Sequence, residues 1–503
     1  MSRSTNSLIL NDISFKYSDA LDPILYEFSI GFYDGWTGIV GPNGSGKSSL
    51  LHLINGKLQL DSGTIQKPGR VCLVAQRTDH APPGLLQLAE GNYHESWVWR
   101  SSLGIQTEWF DRWNTLSHGE RKRLQIAVAL AQEPDALLLD EPDNHLDIQT
   151  RDILLNALQK FRGIGLIVSH DRHLLDTLCS HTLFLGDTNH DLRIGGYTKA
   201  KREREREQLE LRRQRDSLQR EENKLRQELK RRSVESSRTK GRRSRRHLAR
   251  GDSDGKAKIG MAIYSGKDKK AGRLKQVMTD RVDELKEKRS TIPIQEQFSS
   301  GIKLEGIAGR NPFIINETAA SFQATGSLNI DLPDLQLERG QRVGLTGPNG
   351  SGKTLLLKFF LKRTTLADSE ILYLPQEITR SEGSRLVATL NRLTPEEKGS
   401  ALTIVRRLGS DPEGLLYGKT ISPGESRKLL LALGMSQDCS LLVLDEPTNH
   451  LDILAVSCLE EALQEWPGAI LLVSHDRYFV NNVAETVWKL EMTTPNRSRV
   501  SIV

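Results

Sequence analysis

The chain repeats itself, and this internal repeat constrains its fold more than any other feature of the sequence. The segment GIVGPNGSGKSSLLHLI at Gly38–Ile54 returns as GLTGPNGSGKTLLLKFF at Gly344–Phe360. LLLDEPDNHLDI at Leu137–Ile148 returns as LVLDEPTNHLDI at Leu442–Ile453. The paired segments lie 305 or 306 positions apart. Two copies of one domain are therefore predicted on a single chain.

Each copy contains short runs of Leu, Ile and Val bounded by turn or charged residues, such as Ala136–Leu139 and Leu166–Val168. Such runs are typical of buried strands in a parallel sheet, and a helix is expected after each glycine-rich loop. The predicted fold class is α/β, with two tandem domains joined by a long basic antiparallel helical hairpin. The predicted parts are residues 7–190, a linker at 191–301, residues 302–495 and a short tail at 496–503.

The charge of the chain is concentrated in the linker. The whole sequence carries a formal net charge of +6, from 70 Lys+Arg and 64 Asp+Glu. Residues 199–290 hold 32 basic and 16 acidic residues, a net +16, which leaves −10 on the remainder. A basic segment inside an otherwise acidic protein predicts a polyanionic partner that is met at one place.

Two leucine-rich seams indicate helices in that linker. The first has its apolar residues mostly seven apart, at Leu211, Leu218, Leu225 and Leu229, and the second has Leu274, Met278, Val282 and Leu285. Between the seams, Ser233–Lys258 is rich in Arg and turn formers, so we expect it to be the tip of a helical hairpin. The alternative is a charged, partly disordered linker, because blocks of like charge are often simply solvated.

Several classes of protein are excluded by composition. No apolar run approaches the roughly 18 residues that a membrane helix needs. The N-terminal apolar stretch is too short for a signal peptide. The four cysteines form no C-x-x-C pair, which argues against zinc, iron–sulfur and disulfide frameworks. We expect a cytoplasmic protein without a membrane domain of its own.

Both glycine-rich segments match the phosphate-binding pattern G-x-x-x-x-G-K-[ST]. Glycines in this pattern let backbone N–H groups turn towards phosphate oxygens at a helix N-terminus. The lysine reaches the β- and γ-phosphates, and the final hydroxyl is offered to Mg²⁺. The predicted nucleotide-binding residues are Gly41, Asn43, Gly44, Gly46, Lys47 and Ser48 in the first copy and Gly347, Asn349, Gly350, Gly352, Lys353 and Thr354 in the second.

The ends of the apolar strands carry the residues predicted to do chemistry. Asp140 and Asp445 are placed to hold the Mg²⁺ shell, and the adjacent Glu141 and Glu446 to orient or deprotonate an attacking water. Further candidates near the γ-phosphate, Mg²⁺ or the water are His170, His475, Gln76 and Gln376. Tyr17 precedes the first loop and could stack on an adenine or serve as an ordinary core aromatic. The second copy has only Phe322 near that place.

Two further motifs reveal a family resemblance. Leu116–Glu120 (LSHGE) and Ile421–Glu425 (ISPGE) resemble the L-S-G-G-[QE] signature of ATP-binding cassette proteins. The E-P-x-N-H-L-D stretches at Glu141–Asp147 and Glu446–Asp452 resemble the form typical of the ABC-F branch. Members of that branch have two cassettes on one chain, no membrane domain and a basic helical linker.

The resemblance implies that the cassettes close head to tail around two ATP molecules. Site one would combine Lys47, Ser48, Gln76, Asp140, Glu141 and His170 with Ser422 and Gly424 of the other copy. Site two would combine Lys353, Thr354, Gln376, Asp445, Glu446 and His475 with Ser117 and Gly119. Magnesium would be bound by Ser48, Gln76 and Asp140 and by Thr354, Gln376 and Asp445. ATP binding would close the cassettes, hydrolysis would open them, and one chain would suffice for both sites.

Three positions depart from the family pattern. His118 and Pro423 replace the small second residue of each signature, and Asp143 stands where the other copy has Thr448. Side chains at these places can alter how the backbone approaches a γ-phosphate. The two sites are therefore predicted to hydrolyse ATP unequally.

The resemblance also implies a partner, since ABC-F proteins act on ribosomes. Residues 199–290 would contact rRNA and tRNA near the exit-tRNA position and the peptidyl-transferase centre, as part of a translation factor or a protein that protects ribosomes from antibiotics. The short spacing between Gln76 and Ser117 and the long linker favour the protective type. The alternatives are the ATPase subunit of a membrane transporter and a DNA-repair or chromosome-organising ATPase.

Overall fold

The computed structural model describes residues 6–18, 20, 22–92, 96–144, 146–186, 190–242, 267–292, 312–323, 328–410, 412–417, 421–435, 439–449, 451–494 and 496–503. The chain divides into two compact units, of which one is Met1–Ala200 with Ser300–Val503 and the other is Lys201–Ser299. Within the described ranges, no helix combines the length and the apolar character needed to cross a membrane.

The first cassette is built on a mainly parallel sheet of six strands in the order β5-β6-β7-β3-β8-β9, beside a three-stranded antiparallel sheet, β2-β1-β4. Its strands are β1 Ser7–Phe15, β2 Leu25–Tyr33, β3 Gly35–Val40, β4 Ser62–Gln66, β5 Val71–Val74, β6 Ala136–Asp140, β7 Ile164–Val168, β8 His181–Leu185 and β9 His190–Ile194. Its helices are α1 Lys47–Asn55, α2 Leu85–Glu90, α3 Ser96–Ser102, α4 His118–Ala131, α5 Ile148–Leu158 and α6 Arg172–Leu178.

The central strands of this sheet explain the apolar runs of the sequence. Every residue of β6 and β7 is buried, and their mutual pairing is parallel, as are the pairings of β3 with β7 and β8. Parallel strands buried on both faces need continuous apolar side chains instead of an alternating pattern. The polar residues that follow each strand consequently meet at one edge of the sheet, where a ligand can reach them.

Two long helices form the segment between the cassettes, α7 Tyr197–Arg242 and α8 Lys267–Ser290. They contact each other through ion pairs of Arg281 with Glu221 and of Arg289 with Glu222, at 3.9 and 3.3 Å. The four leucines of the first seam are half-buried. In the second seam Met278, Val282 and Leu285 are buried, whereas Leu274 is exposed.

The helix α7 is longer than predicted. It includes residues 233–242, which were expected to form the start of the hairpin tip. The rest of that tip, residues 243–258, lies outside the described residues. The antiparallel hairpin therefore remains a prediction. The two helices and their basic character agree with the helical linker that was predicted between the cassettes.

The second cassette has a sheet of eight strands in the order β11-β12-β19-β18-β14-β17-β16-β15, and β10 pairs with β13. Its strands are β10 Phe313–Glu317, β11 Ala320–Gln323, β12 Asn329–Leu332, β13 Leu335–Glu338, β14 Arg342–Thr346, β15 Ile371–Leu374, β16 Leu441–Asp445, β17 Ala469–Val473, β18 Thr486–Thr494 and β19 Arg497–Ile502. Its helices are α9 Lys353–Leu361, α10 Arg380–Arg392, α11 Pro395–Arg407, α12 Pro412–Tyr417, α13 Pro423–Met435, α14 Ile453–Glu465 and α15 Arg477–Val483.

Two predicted domain boundaries need correction. Residues 496–503 were expected to be a short tail, but β19 pairs antiparallel with β18 and parallel with β12 inside the sheet. The first cassette was expected to end at residue 190, but β9 continues its sheet to Ile194 by pairing with β8. Both segments are short and partly polar, so their sequences did not identify them as strands. Each pairs with the strand that directly precedes it in the chain.

Candidate ATP sites

The two glycine-rich loops form matching cradles before α1 and α9. Gly46 and Gly352 occupy the N-cap positions with φ of 89° and 98°, a left-handed conformation that favours glycine. The buried Lys47 donates from Nζ to the carbonyl oxygens of Gly41 and Pro42, at 2.9 and 2.7 Å. Lys353 makes the same two bonds in its own loop. These bonds hold each lysine side chain across its loop, in a position where its ammonium group can contact phosphate oxygens.

Each loop also places a hydroxyl against a carboxylate. Ser48 Oγ donates to Asp140 Oδ1 at 3.1 Å, and Thr354 Oγ1 donates to Asp445 Oδ2 at 2.8 Å. Burial raises the pKa of both aspartates, and these hydroxyl bonds oppose the rise. One hydroxyl and one carboxylate, completed by phosphate oxygens and water, are the ligands that Mg²⁺ commonly takes beside a nucleotide. Both pairs therefore fit a magnesium ion.

Glu141 stands at the carboxyl end of β6 in a crowded polar setting. Its Oε2 accepts bonds from Gln76 Nε2, at 2.6 Å, and from Asn144 Nδ2, and His170 Nε2 lies 3.6 Å from its Oε1. Burial raises the pKa of Glu141, but the bonds from His170 and Asn144 and the charge of Lys47 outweigh it, so the pKa lies below its ordinary value. The structure thus brings together Gln76, Glu141 and His170 as predicted residues of one site.

Glu446 directly follows β16 and is more buried than Glu141. Its side chain accepts a bond from the backbone N–H of His475 at 3.3 Å, and its Oε1 lies 3.4 Å from His475 Nε2, which also contacts Asn349 Oδ1 at 3.0 Å. Burial raises the pKa of Glu446 to about 7, although the charges of Lys353 and Arg151 oppose the rise. Burial and those same two cations lower the pKa of His475 to about 3. His475 is therefore neutral beside Glu446.

Both glutamates have an unusual backbone. Glu141 and Glu446 have φ of 46° and 52°, in the left-handed region that non-glycine residues rarely adopt. The backbone N–H of each donates to the last residue of the neighbouring strand, Val168 or Val473, at 2.9 Å. Such strain persists only where the surrounding structure fixes it, and it clusters at functional sites.

The cassettes contact each other at these sites through the aspartate that ends each E-P-x-N-H-L-D motif. Asp452 Oδ2 accepts a bond from the backbone N–H of Asn43 at 3.1 Å, and Asp147 Oδ2 accepts one from Asn349 at 3.3 Å. Each aspartate also caps the helix that follows it, α5 or α14. One carboxylate therefore joins a helix N-terminus of its own cassette to the phosphate loop of the other.

A cavity of about 800 Å³ lies at site one and is lined by residues of both cassettes. The lining includes Asn43, Glu141 and His170 of the first cassette and Ser422 and Gly424 of the second. The structure therefore brings the second signature close to Asn43 of the first phosphate loop, whereas the predicted Lys47, Ser48 and Asp140 are not part of this cavity wall.

A cavity of about 300 Å³ lies at site two, with Lys353, Thr354, Gln376, Asp445, Glu446 and His475 in its wall. The first cassette contributes Leu146 and Arg151 to that wall, and the predicted Ser117 and Gly119 lie outside it. Gly119 instead packs under Leu146, since a Cβ atom at Gly119 would come within 3.1 Å of that side chain. The predicted pairing is therefore less complete at site two than at site one.

Each signature forms the same type of helix cap. This cap explains how His118 and Pro423 can replace the small second residue of the family signature. Ser117 and Ser422 each accept a bond from the N–H of a glutamate three residues on, and that glutamate bonds back to the serine N–H. His118 and Pro423 consequently occupy the first helical position, where proline is tolerated because that N–H has no partner within the helix. Pro423 nevertheless removes one N–H that site one could offer to a phosphate.

The aromatic candidates differ between the cassettes. Tyr17 is 42% exposed, its hydroxyl is 3.0 Å from Ser49 Oγ at the start of α1, and its ring contacts that of Phe15 edge to face with centroids 4.9 Å apart. Phe322 is stacked on Phe359 with ring centroids 4.1 Å apart. Tyr17 remains a candidate for stacking on the base, whereas one face of Phe322 is already covered.

Sequence reasoning missed three kinds of residue at these sites. Asn144 and the aspartates Asp147 and Asp452 belong to the repeated motif, so the repeat itself could have identified them. Lys122 and Arg427 occupy equivalent positions and donate to the backbone carbonyls of Gln76 and Gln376. Their helices contain other charged residues, so the sequence did not single out these two. Arg151 has no basic counterpart in the second cassette, so no pattern pointed to it.

Comparisons with known proteins agree with this architecture. The family described as ABC transporter matches residues 28–144 and 330–449. The chain is 29% identical over 468 residues to the ribosome protection protein VmlR of Bacillus subtilis (strain 168), covering 89% of this chain and 80% of that protein. It is 29% identical to the erythromycin resistance ATP-binding protein MsrA of Staphylococcus epidermidis, covering 90% of this chain and 91% of that protein.

A solved structure shares the fold over most of the chain. It is the crystal structure of a complex of the archaeal ribosomal stalk protein aP1 and the archaeal ribosome recycling factor aABCE1, with a TM-score of 0.61 and 19% identity. The match covers 97% of this chain and 89% of that chain. At this identity the likeness concerns the fold alone. Two cassettes in tandem therefore form a known architecture.

Proposed function

Because the chain belongs to the ABC-F family of ATP-binding cassette proteins and hydrolyses ATP, we propose that it acts on the ribosome. ATP would close the two cassettes and hydrolysis would let them open. The single observation that carries this proposal is a pair of complete catalytic sets, around Glu141 and Glu446, on a chain whose two linker helices are strongly basic. The names of VmlR and MsrA favour ribosome protection over a housekeeping role in translation.

In this proposal each glutamate accepts a proton from the water that attacks the γ-phosphate. Lys47 and Lys353 bind the phosphates, and His170 and His475 orient the γ-phosphate at each site. Ser48 with Asp140 and Thr354 with Asp445 would hold Mg²⁺, with Gln76 and Gln376 beside it. The ion would neutralise charge on the phosphate chain. One chain supplies both sites, so a monomer in the cytoplasm is sufficient.

The linker provides the surface for RNA. Arg202, Arg215 and Arg220 on α7 are exposed, and residues 199–290 carry a net +16. Lys and Arg that contact phosphates release counterions, which makes affinity fall with salt. We propose that this segment enters the ribosome near the exit-tRNA site and the peptidyl-transferase centre, and that the resulting change there displaces a bound antibiotic.

The decisive experiment traps the ATP-bound state and asks what it binds. The full-length Glu141→Gln, Glu446→Gln variant is incubated with ATP and bacterial ribosomes or with membrane vesicles, and each mixture is sedimented. We expect ATP-dependent recovery with ribosomes. The Lys47→Ala, Lys353→Ala variant is the matched control, because it lacks the phosphate contacts and should stay in the supernatant. Recovery with membranes alone would favour the alternative, a transporter subunit with a separate permease.

A second arm tests the role of the linker in the intact chain. Replacement of Arg202, Arg215 and Arg220 by Gln should reduce the slope of log affinity for ribosomes against log salt by about 2–3. The matched control replaces three exposed basic residues of the first cassette, Lys57, Lys67 and Arg112, in the same way. If both triple variants change the slope equally, the linker is not the RNA-binding surface. Drug susceptibility of cells with and without the gene then tests protection.

A further inference from the structure

Arg151 on α5 lies where the first cassette meets the catalytic residues of the second. Its side chain is 19% exposed, and its Nη1 donates to Asp171 Oδ2 at 3.0 Å and to the backbone oxygen of His475 at 3.3 Å. Asp171 follows His170 in the first cassette. One guanidinium therefore bridges the two histidine loops, and it forms part of the walls of the cavities at both sites.

The surroundings of Arg151 keep it charged. Burial lowers its pKa, but Asp171, Asp143, Glu446 and Asp476 more than compensate and raise it. Arg151 also acts on its neighbours, since its charge opposes the burial that raises the pKa of Glu446. Arg151 is a fixed cation that also bonds the backbone of His475. It can therefore position the side chains of Glu446 and His475 without contacting the nucleotide.

The repeat shows that this arrangement has no equivalent in the second cassette. The residue 305 positions after Arg151 is Val456, which is buried and lies in the wall of the cavity at site one. The side chain of Val456 can neither donate a hydrogen bond nor carry charge. One acidic neighbour is also specific to the first cassette, because Asp143 corresponds to Thr448, whereas Asp171 corresponds to Asp476. The charged residues around Arg151 thus differ between copies whose catalytic residues are the same.

We propose that Arg151 is a positioning residue of site two, contributed by the first cassette, which fixes the His475 loop and places a positive charge beside Glu446. This inference rests on the assignment of an ATP site to Lys353 and Glu446, and it is independent of the ribosome. A guanidinium can make two directed bonds from one planar group, which suits a bridge between two loops. The closing of the cassettes would then complete site two.

The test measures ATP hydrolysis by the purified full-length chain in two backgrounds. In Glu141→Gln the remaining activity comes from site two, and in Glu446→Gln it comes from site one. Arg151→Leu should lower kcat in the first background by about 10- to 100-fold, as expected when catalytic groups are misplaced by a fraction of an ångström to an ångström. KM for ATP should change little, because Lys353 and the phosphate loop are intact. The loss in the second background should be several-fold smaller.

Two further variants separate positioning from general damage. Arg151→Lys keeps the charge and an N–H donor group but loses the planar guanidinium, so it should recover part of the site-two activity and change site-one activity little. Arg172→Leu removes another buried arginine of the same interface and should affect both backgrounds alike. If Arg151→Leu melts below the assay temperature, the lysine variant alone is compared in the two backgrounds. Equal effects of Arg151 substitutions in both backgrounds, or none in either, would overturn the proposal.

Discussion

The two ATP sites contain the same catalytic residue types, but their surroundings differ. Glu141 is bound by the side chains of Gln76 and Asn144, whereas the more buried Glu446 accepts a backbone N–H bond from His475. Pro423 lines the cavity at site one, and Arg151 contacts the backbone of His475 at site two. The repeat thus preserves what each cassette supplies to its own site, together with the aspartates Asp147 and Asp452 that reach the opposite loop. Other residues at the interface, such as Arg151 and its equivalent Val456, have diverged.

The largest expected effect comes from removing each glutamate separately. We expect Glu446→Gln to reduce total ATP hydrolysis to about a tenth or less, because the carboxylate of Glu446 is less engaged by side-chain donors and site one lacks a backbone N–H at Pro423. Glu141→Gln should retain most of the activity. Steady-state phosphate release under saturating ATP measures both variants.

The control for this comparison is ATP binding, which both variants should keep because Lys47 and Lys353 are unchanged. Nucleotide binding by fluorescence or calorimetry verifies that each glutamine variant is folded and loaded. Equal losses of turnover in the two variants would show that the different surroundings of Glu141 and Glu446 do not affect the chemistry.

A second contrast between the copies lies in the ion pairs that join the cassettes. Arg172 forms a bidentate pair with Glu460 at 3.0 and 2.8 Å, and both side chains are buried. The equivalent arginine, Arg477, meets Asp152 at 2.7 Å with both side chains about half exposed. Removing one partner of a buried pair costs about 3–5 kcal/mol, whereas exposed pairs contribute roughly 0–1 kcal/mol.

Arg172→Ala should therefore lower the melting temperature of the chain by on the order of 10 °C, because Glu460 is left as an uncompensated buried charge. Arg477→Ala should lower it by no more than about 2–4 °C. Scanning calorimetry of the two variants in parallel gives the comparison. Similar shifts would mean that the two ion pairs are equivalent in solution despite their different burial.

These pairs show why the sequence predicted some parts of the molecule and not others. The phosphate loops, β6, β7 and the acidic residues after them were predicted because each depends on a short local pattern, and that pattern occurs twice. Arg172 could not be assigned to Glu460, since 288 positions separate them and Leu155 stands at the equivalent of Glu460 in the first cassette. Arg151 was missed for the same reason, whereas β19 was missed because it is short and partly polar, although its partner β18 directly precedes it.

The smallest expected effect concerns the second residue of each signature. Pro423→Ala restores an N–H at the first position of α13 while keeping a good helix former, so site one gains a donor at a helix N-terminus. One bond to a charged group contributes roughly 1.5 kcal/mol, so ATP hydrolysis or binding at site one should improve by up to about tenfold. Assays in the Glu446→Gln background isolate that site.

The matched control is His118→Ala in the Glu141→Gln background. His118 already has a backbone N–H, and the cap formed by Ser117 and Glu120 is unchanged by the substitution. Site two should therefore respond by less than about twofold, since no donor is gained. If Pro423→Ala leaves site one unchanged, the missing amide is not what separates the two sites, and the arrangement around Glu141 becomes the remaining structural cause of the difference.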